Sequence, residues 1–304
     1  MQYALKTYGL TKTYARAAAV ENVSVNVPRG SIYGFVGRNG AGKTTLMRLV
    51  SGLINKSGGS YELFGVSDSS RGIGAARRRT GAIIETPSVY PEFTAEQNLK
   101  IQCHTLGVPD LSVIGRTLEY VGLEGTGKKK AKNFSLGMRQ RLGIAAALVG
   151  SPDLIILDEP TNGLDPQGIV EIRELLLRLN REQGITVFIS SHILSELSKL
   201  ATHYGFIEKG KLVRELTAEE LFEACRKCIR IKVDSTKQLP FVLEEKLGIT
   251  DYKLLSATEA EIYGDVGVGR LALALNAAGI VLLESNHRDE DLEGYFINLV
   301  GGAV

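Results

Sequence analysis

The chain has 304 residues, of which 44% are hydrophobic, so it is long enough and apolar enough for one large domain and a smaller second one. The formal net charge of +2 and the aromatic fraction of 7% give no indication of a dedicated nucleic-acid surface or a polybasic membrane anchor, and no nucleic-acid partner is expected. The first residues lack the pattern of a signal peptide, and the longest apolar runs are too short to cross a bilayer. We therefore expect a soluble chain.

The cysteine content favours a reducing, cytoplasmic environment. The chain has three cysteines, Cys103, Cys225 and Cys228, and this odd number does not suit the disulfide framework of a secreted protein. Cys225 and Cys228 form a C-x-x-C pair that has no second ligand pair at zinc-like spacing. Two small side chains near a domain junction explain this pair better than a metal or redox site.

From residue 1 to about 220, β-branched and aromatic runs alternate with amphipathic helical stretches, which predicts an α/β sheet covered by helices. Three segments read as buried parallel strands, each with polar residues at its carboxyl end: SIYGFVG (31–37), LIILDEP (154–160) and ITVFISSH (185–192). After the second strand, a helix is predicted from an Asp165 cap and Pro166 to a stop at Gly184. Ligands bind at the carboxyl edge of such sheets.

The pattern changes near residue 223, where the predicted second domain begins. The remainder predicts a small α+β domain of β-α-β-β-α-β order followed by a last helix. We therefore expect two domains, residues 1–222 and 223–304.

The segment GRNGAGKTT, Gly37 to Thr45, matches the phosphate loop G-x-x-x-x-G-K-[ST] and stands between a predicted strand and a predicted helix. Glycines allow the backbone to wrap around phosphates, Lys43 supplies a cation, Thr44 supplies a Mg²⁺ ligand and Thr45 a hydrogen bond to a phosphate oxygen. This segment predicts a site for a nucleotide with Mg²⁺. Its expected nucleotide-binding residues are Gly37, Asn39, Gly40, Ala41, Gly42, Lys43, Thr44 and Thr45.

Two carboxylates end the strand LIILDEP. Asp158 is expected to hold Mg²⁺ through water, and Glu159 to polarise the water that attacks the γ phosphate. The sequence thus predicts hydrolysis of the nucleotide as well as binding.

Three further segments surround these carboxylates. FSLGMRQR, Phe134 to Arg141, precedes an alanine-rich helix, where the hydroxyl of Ser135 and the N–H of Gly137 form a second phosphate-binding surface. NGLD ends at Asp165, and His192 follows the strand ITVFISSH.

This order of motifs resembles the ATP-binding cassette (ABC) family over roughly the first 215 residues. The resemblance implies an ABC-type phosphate-loop ATPase domain with a helical signature subdomain, ATP and Mg²⁺ as cofactors, and complete sites only where two chains meet. It implies that Ser135 and Gly137 contact the γ phosphate of the ATP on the opposing chain and that Asp165 helps to join the two sites. His192 would contact the same phosphate within its own chain. Tyr14 lies where the family places an aromatic residue that stacks on adenine, although ordinary strand packing would also explain it.

Two departures from the family pattern stand out. In the signature, Leu136 and Met138 replace a glycine and a glutamine. Glu85 replaces the glutamine that contacts Mg²⁺ and the water and senses the membrane partner. A carboxylate can still contact Mg²⁺, but it only accepts hydrogen bonds. We expect Glu85→Gln to retain ATP hydrolysis and to alter coupling to that partner.

The E-x-P-x-x-Y pattern that starts at Glu85, the signature FSLGM and the closing DLEGYFINLVGG resemble the branch of bacitracin-resistance and lantibiotic-immunity exporters. This resemblance implies an ATPase subunit at the cytoplasmic face of the membrane, attached to a polytopic permease and paired with a second copy of the nucleotide-binding chain. The alternatives are a soluble ABC-type ATPase that remodels a complex such as the ribosome, and a regulator that uses ATP as a timer. The second domain is expected to regulate the dimer or to stabilise it.

Overall fold

The structure, a computed structural model, describes residues 2–15, 17–263, 266–288 and 292–301. These residues form two compact units, one that extends to Ala218 and one that begins at Glu219. The domain boundary expected after residue 222 falls inside the helix Ala218–Ala224. Within the described residues, no helix has both the length and the apolar character needed to cross a membrane.

The first unit contains eleven strands among its described residues. They are β1 Tyr3–Tyr14, β2 Ala17–Val23, β3 Asn26–Pro28, β4 Ile32–Val36, β5 Gly58–Leu63, β6 Val66–Ser67, β7 Thr80–Ile83, β8 Leu154–Asp158, β9 Thr186–Ser191, β10 His203–Glu208 and β11 Lys211–Thr217. The α-helices up to the boundary are α1 Lys43–Val50, α2 Ile73–Arg78, α3 Ala95–Leu106, α4 Val113–Tyr120, α5 Leu136–Leu148, α6 Pro166–Gln183, α7 Leu194–Leu197 and α8 Ala218–Ala224. Two short 3₁₀ helices, Glu124–Thr126 and Ala131–Asn133, precede α5.

A six-stranded sheet of order β11-β10-β4-β9-β8-β7 forms the centre of the first unit. Its strands are parallel except for the antiparallel edge strand β11. Every residue of β4, β8 and β9 is buried, as both faces of a parallel sheet require. The three predicted parallel strands are therefore confirmed, and their carboxyl ends meet at one edge.

A second, antiparallel sheet was not predicted. It has the order β2-β1-β5-β6, with β3 also paired to β1. The expectation that strands alternate with helices from the first residue is wrong here, because β1 to β4 follow one another without a helix among the described residues. Residues of both sheets and of α1, including Leu5, Phe35 and Leu46, share one buried core.

The region between β7 and β8 is helical, as the resemblance implied. Helix α3 begins with a capping box in which the Thr94 hydroxyl accepts from the N–H of Gln97 and the Gln97 side chain accepts from the N–H of Thr94. Helix α6 begins and ends as predicted, because the Asp165 carboxylate caps it and Gly184 ends it in the left-handed conformation.

The second unit has the predicted order of strands and helices. Its elements are β12 Cys228–Val233, α9 Leu239–Phe241 continued by a π-helical turn Val242–Lys246, β13 Tyr252–Leu254, β14 Glu259–Ile262, α10 Val268–Ala277, β15 Leu282–Arg288 and α11 Leu292–Gly301. The antiparallel sheet has the order β13-β14-β12-β15. Ile231, Leu239 and Leu271 belong to a separate core that this sheet and its helices enclose. Asp291 and Gly302, the ends of the closing motif, lie outside the described residues.

Candidate nucleotide-binding site

The phosphate loop joins β4 to α1 and depends on glycine at three positions. Gly40 and Gly42 have φ angles of 82° and 109°, in the left-handed region that favours glycine. A Cβ atom on Gly42 would meet the carbonyl oxygen of Ala19 at 2.5 Å, and one on Gly37 would meet that of Ile207 at 2.6 Å. The loop thus presents bare backbone N–H groups before a helix N-terminus, the arrangement that binds phosphate.

Lys43 is buried within this loop, with 5% of its surface exposed. Its Nζ donates hydrogen bonds to the carbonyl oxygens of Gly37 at 2.6 Å and Arg38 at 3.2 Å. It also lies 3.0 Å from Oε1 of Glu159, a contact that is an ion pair without hydrogen-bond geometry. The ammonium group is therefore fixed at the centre of the site by three oxygens.

Thr44 and Asp158 meet at the same place. The Thr44 hydroxyl donates to Oδ2 of Asp158 at 2.7 Å. Oδ1 of Asp158 accepts from the hydroxyl of Ser190 at 2.7 Å, and that hydroxyl in turn accepts from the N–H of Glu159 at 2.9 Å. Sequence reasoning missed Ser190, although its position at the end of a buried strand next to β8 is a signal that could have identified it.

Glu159 contacts both Lys43 in the phosphate loop and His192 after β9. Its Oε2 lies 2.7 Å from Nδ1 of His192, and because a carboxylate only accepts, this nitrogen donates. Its φ of 49° is in the left-handed region, which a non-glycine residue adopts only where the surroundings impose it. The structure thus places the two predicted catalytic residues, Glu159 and His192, in direct contact beside Lys43.

The signature residues form a separate surface at the start of α5. The hydroxyl of Ser135 caps this helix by accepting from the N–H of Met138 at 3.2 Å, as predicted. Gly137 follows on the first turn, and a Cβ there would meet the side chain of Leu164 at 3.9 Å. Asp165 accepts from the N–H of Gly168 at 3.1 Å.

The other residues expected at the nucleotide are Tyr14 and three residues of the phosphate loop. Tyr14 ends β1 with 47% of its surface exposed, and Nζ of Lys12 lies 4.9 Å from the centre of its ring. Asn39 is exposed, Ala41 is buried and Thr45 is half-buried in the first turn of α1. The role of Tyr14 in stacking on adenine stays a prediction.

Glu85 follows β7 by two residues and has a φ of 65°. Its carboxylate accepts from the guanidinium of Arg48 at 2.7 Å, and 59% of the side chain is exposed. The metal contact expected of Glu85 stays a prediction, and Arg48 is a partner that sequence reasoning did not identify.

Basic side chains away from the phosphate loop form ion pairs with carboxylates. Arg79 pairs with Asp153 at 2.6 Å, and Lys130 and Lys132 both bind Glu92, whose pKa their hydrogen bonds lower. Among the described residues, no cluster of three or more His, Cys, Asp or Glu side chains could hold a metal ion.

These features define a class of protein, the ABC ATPases. Residues 20–162 match the family model described as ABC transporter. The chain belongs to this family, and it is an ATPase that binds ATP.

Particular relatives extend the similarity over the whole chain. The chain is 42% identical to the bacitracin transport ATP-binding protein BcrA of Bacillus licheniformis, over 100% of this chain and 99% of that protein. It is 40% identical to BcrA of Enterococcus faecalis, over 99% of this chain and 98% of that protein. It is also 46% identical to the lantibiotic transport ATP-binding protein SrtF of Streptococcus pyogenes, over 69% of this chain and 90% of that protein.

Solved structures share the fold of the first unit. A dimeric post-hydrolysis state of the ATP-binding cassette MJ0796, bound to ADP and Pi, matches with a TM-score of 0.64 at 25% identity and covers 70% of this chain and 98% of its own. The cbiO1 protein of Clostridium perfringens, part of the ABC transporter complex cbiONQ, matches with a TM-score of 0.67 at 26% identity and covers 82% of this chain and 97% of its own.

Proposed function

We propose that this chain is the ATP-hydrolysing subunit of an exporter that removes peptide antibiotics, such as bacitracin or a lantibiotic, from the membrane. It would act as a dimer at the cytoplasmic face, attached to a polytopic permease. The observation that carries ATP hydrolysis in this proposal is the contact of Glu159 with both Lys43 and His192. The similarity to both BcrA proteins supports the cargo class, because it extends through the second unit as well as the first.

In this proposal, Glu159 is the general base. With ATP in the loop, Lys43 would exchange its contact with Glu159 for phosphate oxygens, which leaves the carboxylate able to accept a proton from water. His192 would hold the carboxylate through Nδ1 and contact the γ phosphate with its other ring nitrogen. The Ser190 hydroxyl holds the side chain of Asp158 and the backbone of Glu159 in position, because it hydrogen-bonds to both.

The oxygens of Thr44 and Asp158 fit a Mg²⁺ ion. They converge at 2.7 Å, they are the hard ligands that Mg²⁺ prefers, and a metal bound with a nucleotide needs few protein ligands. When bound, Mg²⁺ neutralises charge on the phosphates.

The signature surface supports a site made by two chains. Ser135 and Gly137 lie at the N-terminus of α5, where backbone N–H groups and the helix dipole favour an anion. Because the phosphate loop has its own helix N-terminus, this second surface would serve the ATP of a second copy. The ATP-bound pair would hydrolyse, whereas a single chain would hydrolyse poorly.

A groove of about 380 Å³ next to Glu85 is the proposed docking place for the permease. It lies among β7, the following loop and helices α3 and α5, and its lining includes Leu53, Ile84, Pro87 and Leu106. A groove beside a residue at the nucleotide edge would transmit the ATP state to the permease. The ribosome-remodelling alternative is not favoured, because these curated relatives are transport ATP-binding proteins.

Antibiotic susceptibility in the cell that makes this protein tests the proposal. Cells that lack the chain should become more sensitive to bacitracin or to a lantibiotic, and the wild-type chain should restore resistance. Glu159→Gln should not restore it, and sensitivity to tetracycline should be unchanged throughout. Equal sensitivity of all strains to both peptide classes would refute the cargo proposal and leave the ATPase assignment intact.

A further inference from the structure

The carboxylate of Glu85 stands at the same sheet edge as the nucleotide site. Strands β7 and β8 are parallel neighbours, and Ile83 is paired with Leu157. Asp158 follows Leu157 directly and Glu85 follows Ile83 by two residues, at the carboxyl ends of neighbouring strands that are about 4.8 Å apart. The side chain of Glu85 is therefore the third carboxylate at an edge that already holds two.

In the structure, the carboxylate of Glu85 forms an ion pair with Arg48. Arg48 lies on α1, one helical turn after Thr44, so about 6 Å along the helix separates it from the metal-binding hydroxyl. Its guanidinium meets Oε1 of Glu85 at 2.7 Å. The same helix thus carries a cation that holds Glu85 and, one turn earlier, the hydroxyl that would hold Mg²⁺.

Three properties of the pair indicate that it can open. The side chains are 36% and 59% exposed, and ion pairs at such surfaces are weak because water screens them. Arg48 lies in the last turn of α1, where the helix dipole favours a cation and disfavours a carboxylate, so the helix end itself does not attract Glu85. The left-handed φ of Glu85 adds a backbone conformation that the loop must impose.

We propose that Arg48 is a positioning residue that holds Glu85 away from the metal, and that Glu85 exchanges Arg48 for Mg²⁺ when Mg²⁺·ATP binds. The exchange fits the ligand preference of the metal, since Mg²⁺ is a hard cation that takes carboxylate oxygens as direct ligands. It would also move the loop that continues into Thr86 and Pro87 on the wall of the groove. The inference rests on the Mg²⁺ site of the proposed function.

The test measures the affinity gain from Mg²⁺, defined as the dissociation constant of a fluorescent ATP analogue in EDTA divided by that in Mg²⁺. The chain contains no tryptophan, so the signal comes from the analogue alone. Arg48→Gln frees Glu85 and should raise the gain about two- to fivefold, the range that an exposed ion pair supplies. Glu85→Gln should lower the gain, and the double variant should behave like Glu85→Gln.

Arg79→Gln is the matched control. Arg79 has the same charge as Arg48 and forms a similarly exposed ion pair with Asp153. This pair lies next to the opposite ends of the same two strands, so its loss should leave the affinity gain from Mg²⁺ unchanged. An unchanged or smaller gain in Arg48→Gln, or an increased gain in the double variant, would overturn the proposal. Failure of the wild-type chain to bind the analogue even in EDTA would overturn the nucleotide site itself, and the inference with it.

Discussion

Replacing Glu159 by glutamine removes the proposed base and keeps its shape. The carboxylate makes two side-chain contacts, with Lys43 at 3.0 Å and with His192 at 2.7 Å. Lys43 keeps its hydrogen bonds to two backbone carbonyls in the variant, and the N–H of residue 159 keeps the hydroxyl of Ser190. The phosphate loop should therefore remain formed, and the substitution should slow the chemical step of ATP hydrolysis rather than weaken ATP binding.

The expected loss is that of a general base, about 10²- to 10⁴-fold in turnover, or about 3 to 5 kcal/mol in the activation barrier. Phosphate release measures turnover, and a fluorescent ATP analogue measures binding. Because binding persists while hydrolysis stops, ATP should also trap the variant as a dimer that size-exclusion chromatography detects.

Glu174→Gln is the control for the charge change, because Glu174 is an exposed residue of α6 that contacts Arg173 and no residue of the site. This control should hydrolyse ATP at the wild-type rate. Turnover of Glu159→Gln within about tenfold of wild type would remove Glu159 from the role of base.

Three further predictions concern the signature, the second core and a buried tyrosine. Ser135→Arg should retain ATP binding and lose turnover. If each site uses two chains, a mixture of Ser135→Arg and Glu159→Gln chains should release phosphate, because one of the two sites in a mixed pair then has both an intact Glu159 and an intact Ser135. A mixture as inactive as its components would contradict the two-chain site. Leu271→Ala should destabilise the second unit by about 2 to 5 kcal/mol in denaturant unfolding, because Leu271 is fully buried, whereas Leu273→Ala, at a 74% exposed position of the same helix, should have little effect. Burial raises the pKa of Tyr204 from 10.0 to about 12, so its neutral form stabilises the fold fully below pH 10 and this contribution is lost as the pH rises towards 12. Tyr204→Phe should therefore lose less stability at alkaline pH than the wild type, and identical profiles of unfolding free energy against pH would contradict this.

The fold and the site are predictable from the sequence where one residue type satisfies one local requirement. Asp165 and Gly184 delimit α6 because a carboxylate caps a helix start and glycine adopts the left-handed conformation that ends it. The phosphate loop was predicted for the same reason, since Gly42 has no space for a Cβ. The continuous burial of β4, β8 and β9 produced apolar runs that only a parallel sheet explains.

Contacts between residues that are distant in the sequence could not be predicted from it. Nothing near Glu85 in the sequence points to Arg48, because their contact depends on where α1 passes the end of β7. Ser190 became a partner of Asp158 only through the register between β8 and β9. The antiparallel sheet was missed because the pairing of β1 with β5 joins residues about fifty positions apart, across the whole of α1.

We propose above that this ATPase drives a membrane-embedded partner. Purifying the tagged chain from its native cell, after membranes are extracted in mild detergent, tests it most directly. We expect recovery of a polytopic membrane protein in comparable amount, together with ATP hydrolysis that Glu159→Gln abolishes. Recovery from the soluble fraction, alone or with ribosomes, would contradict it.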